Sequence, residues 1–118
     1  MAEEVIVGSF NARTVARARR IARGISIGGI LEDLRGLDHF LEETGGVDVL
    51  SAGHVWATEE TVRPVHERRL PLFLWTVNEE EEMRRCARLG VVGLMSDFPK
   101  VLARVLAEGL GGGDPGVA

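Results

Sequence analysis

Leu70-Pro71-Leu72-Phe73-Leu74-Trp75-Thr76-Val77-Asn78 is the stretch that decides the fold. This nearly unbroken apolar run stops at Asn78 and is followed by four glutamates, Glu79 to Glu82. A short run of this kind reads as a strand buried on both faces. Asn78 is a good helix N-cap, because its side-chain oxygen can accept an orphan backbone N–H. Glu81 stands three residues on, as in a capping box, and the glutamates put negative charge at the positive end of a helix dipole. Strand, tight turn and helix follow, one unit of an α/β fold. The turn lies at the carboxyl end of the strand, where such folds place their sites.

Four similar units flank it. Val5-Ile6-Val7 begins a strand that ends at Gly8-Ser9-Phe10, and Asn11 caps a helix with Val15, Ala18, Ile21 and Ala22 inward and Gly24 as its terminator. Ile25 to Ile30 is a second strand, weakened by its glycines. Leu31, Leu34, Leu37, Phe40 and Leu41 share a helical face, with a break expected at Gly36 and an end at Thr44 before Gly45-Gly46. Val47 to Ser51 is a third strand, followed by a loop from Ala52 to Ala57. Thr58 or Thr61 caps the next helix, and Pro64 favours the later start because proline belongs in a first turn. Downstream of the organising strand, Met83, Cys86 and Ala87 face inward and Gly90 ends the helix. Val91 to Met95 is the fifth strand, and Asp97 caps a last helix with Pro99 in its first turn. The expected organisation is one domain over residues 1–109 and a flexible glycine-rich tail over residues 110–118.

Five βα units in series imply parallel strands with right-handed crossovers. They fit an open doubly wound sheet or part of an eight-stranded barrel, and the residue pattern leaves both open. Composition narrows function more than fold. The 118 residues suffice for one modest domain, and 45% apolar content is that of a globular chain. A net charge of −4 gives no electrostatic footprint for nucleic acid. No apolar stretch has the length of a membrane span. The acidic start Met1-Ala2-Glu3-Glu4 does not read as a signal peptide, so a cytoplasmic protein is expected. The single cysteine, Cys86, excludes an internal disulfide and reads as a small core residue.

Trp75-Thr76-Val77-Asn78, Leu89-Gly90-Val91-Val92-Gly93-Leu94-Met95-Ser96-Asp97-Phe98-Pro99 and Val5-Ile6-Val7-Gly8-Ser9-Phe10-Asn11 together resemble the carboxyl-terminal half of the glycerophosphodiester phosphodiesterase family. The resemblance spans roughly residues 4–108 and implies a (β/α)8 TIM barrel, of which this chain would supply five βα units corresponding to strands four to eight. It implies phosphoric diester hydrolysis in lipid metabolism, by two histidines and a divalent cation, Ca2+ or Mg2+, held by carboxylates. The family's His-Arg-Gly word and its metal-carboxylate words belong to the first strands, and none occurs in these 118 residues. The resemblance therefore carries over no catalytic residue and no metal ligand, and the chain alone is expected to be inactive.

What it carries over is a supporting rim. Ser9 and Phe10 match the family's Ser-Phe, Trp75 a tryptophan that walls the substrate pocket, and Asn78 and Asp97 strand-end positions near the site. Asn78 and Asp97 are each explained by capping alone, and Phe10 and Trp75 read as readily as core packing. Arg69 stands where the family usually has glycine, and Val92 where it has aspartate; both look like scaffold drift. Of the histidines, His54 lies in the loop after the third strand and is the one candidate acid or base. His39 and His66 read as surface helix residues, and Asp48 and Glu79 to Glu82 as solvated carboxylates. The expected partner is a missing amino-terminal half-barrel or a second copy, with a small glycerophosphodiester ligand possible. The competing reading is a non-enzymatic half-barrel module that self-associates or binds a small alcohol or phosphate. A third is an unrelated small α/β protein.

Overall fold

The computed structural model describes residues 6–9, 11–21, 24 and 26–111. Five strands alternate with helices: β1 Ile6–Ser9, α1 Ala12–Ile21, β2 Ser26–Leu31, a 3-10 turn Leu34–Gly36, α2 Leu37–Thr44, β3 Val49–Gly53, α3 Glu59–Glu67, β4 Leu72–Trp75, α4 Glu80–Ala87, β5 Gly93–Leu94 and α5 Pro99–Gly111. The last helix thus continues past the boundary expected at residue 109.

The strands form one sheet in the order β1-β2-β3-β4-β5, and every pair is parallel. A doubly wound sheet reverses its strand order at a switch point. Here each strand pairs with the next in sequence, and crossovers of one hand put all helices on one side. This sequential parallel order is the one that neighbouring strands have in a (β/α)8 barrel.

Alternation along β3 and β4 shows how the sheet is made. Leu50, Ala52, Leu72 and Leu74 are buried on the helical side, in a core shared with Val15, Ile27, Phe40, Val62, Val65, Met83 and Val105. Ser51, Phe73 and Trp75 point to the other side and are half-buried. The glycines expected to weaken β2 instead permit close packing. A Cβ on Gly29 would stand 2.6 Å from the Phe40 ring. The edges of the ladder are set by side chains as well: Asp48 accepts the Ile27 N–H at 2.7 Å, and its own N–H reaches the Ile27 carbonyl at 2.8 Å.

Local caps follow the sequence in part. Asn11 accepts the N–H groups of Arg13 and Thr14 at the start of α1. Gly36 does separate the 3-10 turn from α2, and Gly45 ends α2 at φ 78°. The later start of α3 is corrected. Thr58 and Thr61 form a reciprocal capping box and the helix begins at Glu59, leaving Pro64 inside it. Two satisfied backbone donors outweigh the one intrahelical bond that proline removes. The N-cap of α4 is also corrected: the position belongs to Glu79, which makes no side-chain cap bond, so neither Asn78 nor a capping box with Glu81 starts this helix. Arg69 has φ 56°, the left-handed conformation that glycine takes without strain.

Candidate functional site

The carboxyl ends of β2, β3 and β4 frame a cleft of about 400 Å3 lined by Glu32, Asp33, Gly53, His54, Val55, Trp56, Trp75 and Thr76. Gly53 is required here, because a Cβ would meet the Glu32 carbonyl oxygen at 2.6 Å. Trp75 hangs from β4 on the concave side, and its indole N–H donates to the Ser51 hydroxyl of β3. The Trp75–Thr76 peptide bond is cis. Trp56, in the loop after β3, carries the Arg35 guanidinium 3.4 Å above its ring, and Arg35 is paired in turn with Asp33 at 2.7 Å.

Beside the cleft His54, Glu82 and Arg85 make a half-buried ionic network. His54 Nδ1 lies 2.6 Å from Glu82 Oε2. Arg85 donates to both Glu82 oxygens, from Nε at 2.6 Å and from Nη2 at 2.9 Å. It also donates to the carbonyls of His54 and Ala57, tying the β3–α3 loop to α4. The Arg85 guanidinium first, and His54 after it, hold the Glu82 carboxyl down at about 2 despite partial burial. Burial pushes the neighbouring Cys86 thiol up, which makes it a poor nucleophile.

The residues expected at the site are only partly brought together. Trp75 and His54 line the cleft. Asn78 and Asp97 do not; they are exposed and joined to each other across the β4–α4 and β5–α5 loops. Asn78 Nδ2 donates to Asp97 Oδ2 at 3.0 Å, and Asn78 Oδ1 accepts from Ser96 Oγ at 3.1 Å and from Asp97 N at 2.9 Å. Phe98, whose carbonyl accepts from Leu102 N, takes the place ahead of Pro99 that was expected for Asp97. The backbone of Ser9 ends β1, and Phe10 lies outside the described residues.

The glutamate run is also corrected in part. Glu80 is paired with Arg84 and Arg104 on the exposed α4–α5 face, but Glu82 is turned inward. Asp48 sits at the amino end of β3, away from the cleft. Sequence reasoning missed Glu82, Arg85, Trp56 and Glu32. The three-residue spacing of Glu82 and Arg85 was the available signal for that pair. His39 is exposed beside Glu43, and His66 Nε2 lies 2.8 Å from the Leu89 carbonyl. A second depression of about 440 Å3 lies in the outer helical layer between α3 and the end of α4, remote from the strand ends.

A parallel sheet in sequential order, with a tryptophan-walled cleft at its carboxyl end, defines an α/β protein of the barrel type. Residues 1–101 match the Glycerophosphoryl diester phosphodiesterase family, and the chain belongs to that family. It is 27% identical over 109 residues to a glycerophosphodiester phosphodiesterase of Caldanaerobacter subterraneus, an alignment covering 91% of this chain and 44% of that protein. Among solved structures it resembles a protein of Silicibacter pomeroyi assigned as a glycerophosphoryl diester phosphodiesterase, with TM-score 0.75 and 27% identity over 87% of this chain and 38% of that one. A protein of Galdieria sulphuraria assigned as a glycerophosphodiester phosphodiesterase matches with TM-score 0.75 and 26% identity over 91% of this chain and 45% of that one. The chain thus spans less than half the length of these relatives.

The family is generally divalent-metal dependent. Among the described residues, one group of three potential ligands falls within 4.8 Å, His54, Glu82 and Cys86. It does not fit a hard cation, which takes a shell of oxygens. The group has one carboxylate, and both of its oxygens are held by Arg85. The guanidinium, 3.7 Å from Cys86 Sγ, already supplies the positive charge a metal would bring. Among the described residues no helix is long and apolar enough to cross a membrane.

Proposed function

We propose that this chain is the carboxyl-terminal part, strands four to eight, of a glycerophosphodiester phosphodiesterase barrel, and that it contributes to hydrolysis of a phosphoric diester in lipid metabolism by walling the substrate rather than by supplying the metal. The observation that carries this reading is the strand order. Five parallel strands in sequence order, helices on one side, leave a bare concave face and two unpaired edges, β1 and β5. An eight-stranded wall closes such an arc when three more βα units are added. A second copy would bring two strands too many, so a segment supplying the first three units is the better partner.

On this reading the acid–base pair and the carboxylates for Ca2+ or Mg2+ come from those three units, since the chain contains none of the family's words for them. Metal-assisted hydrolysis needs both, and the chain alone is inactive. Ser9, Phe10, Trp75, Asn78 and Asp97 belong to the rim. The test is an assay of the purified chain with a glycerophosphodiester and either cation, alone and mixed with a separately produced three-unit amino-terminal segment of a relative. Activity in the mixture only is expected. Turnover by the chain alone would overturn the claim of incompleteness, and a mixture that neither associates nor turns over would overturn the barrel assignment.

A further inference from the structure

The cleft and the network beside it bear on which part of a substrate this chain meets. Glu82 is ionised near neutral pH, so its carboxylate only accepts hydrogen bonds. Nδ1 of His54, 2.6 Å away, must then carry a proton and donate it. In the neutral ring this leaves Nε2 as a lone-pair acceptor, on a residue that lines the cleft. Arg85 holds the arrangement from both sides, through the Glu82 oxygens and through the backbone carbonyl of His54 itself. The rest of the lining is two tryptophans, two carboxylates, Gly53, Val55 and Thr76, and Arg35 beside it is paired with Asp33 and stacked on Trp56.

A phosphoryl group would meet carboxylates and a lone pair in this cleft. An uncharged alcohol would meet an acceptor for its hydroxyl hydrogen and aromatic faces for its C–H groups. Resting on the family reading above, we infer that His54 is a binding residue for the alcohol end of the substrate, its Nε2 accepting a hydroxyl hydrogen. Glu82 and Arg85 are its positioning residues, and the phosphoryl group is kept out of this cleft.

Long-range 1H–15N spectra of the histidine ring, recorded on the chain near neutral pH, read the tautomer directly. His54 is expected to carry its proton on Nδ1, and Glu82→Ala to lose that preference while Glu82→Asp retains part of it. Glycerol, used as the probe, should shift the His54 Nε2 and Trp75 indole signals, with affinity at least about fivefold weaker in His54→Ala. Inorganic phosphate should leave both signals in place. A wild-type ring protonated on Nε2, or phosphate acting as strongly as glycerol, would overturn the inference, and these two readings need no mutant to fold. Neither depends on hydrolysis, so failure here is distinct from failure of the mixing experiment.

Discussion

On β3 and β4, Leu50, Ala52, Leu72 and Leu74 have lost essentially all contact with solvent, whereas Ser51, Phe73 and Trp75, which alternate with them, remain half-exposed. The same two strands thus make a sealed convex face and a bare concave one. Period-two alternation is normal for a sheet with one wet face, but a parallel sheet usually has both faces covered. The contrast separates a face that carries the packing from a face left half-exposed, the one that the proposed partner segment would cover. Exposed Val55, Trp56, Met95 and Phe98 extend the bare side around the loops.

The contrast can be broken by substitution on each face. Leu74→Ala on the convex side should cost about 2–5 kcal/mol by denaturant unfolding, a large share of a small domain's total. Phe73→Ala on the concave side should cost clearly less in the chain alone; equal losses would mean that the concave face is already covered. Next in size is Glu82→Gln. The folded pKa of Glu82, about 2, lies below its ordinary 4.5, so its stabilising contribution is present above about pH 4.5 and disappears as pH falls toward 2. That contribution is at most about 3 kcal/mol, and the variant should flatten the acid limb of stability against pH. An unchanged limb would place acid sensitivity elsewhere.

Gly29→Ala should cost about 1–3 kcal/mol by driving a methyl against Phe40 on the sealed side, measured as a lower midpoint at unchanged slope. The smallest effect has the opposite sign. Arg69→Gly relieves left-handed strain of about 1–2 kcal/mol, offset by about 0.5–1 kcal/mol of chain entropy, for a net gain of up to about 1.5 kcal/mol. A loss there would show that the Arg69 side chain contributes more than its backbone costs.

The unit count and strand polarity were legible because apolar runs and punctuating glycines are local signals. Gly36 and Gly45 announced their breaks from sequence alone. The expected bounds of β3 and β5 slipped because ladder pairing, not apolarity, sets them: β3 starts at Val49 in register with Gly28, and β5 retains Gly93 and Leu94. At the site, His54 could be placed in the loop after the third strand and Trp75 in the organising strand, whereas the inward turn of Glu82 could not be read. Its inward turn depends on Arg85 and on a loop 28 residues away in sequence. Asn78 was misread for the same reason. Its side chain suits a cap locally, and only the approach of Ser96 and Asp97 offers it three better bonds.

That clasp has a mechanical consequence. β5 is two residues long, but backbone bonds on either side of it continue the pairing: Val92 N–H donates to the Leu72 carbonyl, Met95 N–H to that of Leu74 and Val77 N–H to that of Met95. One asparagine, bonded to the turn beyond β5, and exposed charged pairs between α4 and α5 add side-chain ties to this seam. The last βα unit is thus clasped to the one before it through main chain and side chains together, and it is the outer side of β5 that would receive an added strand.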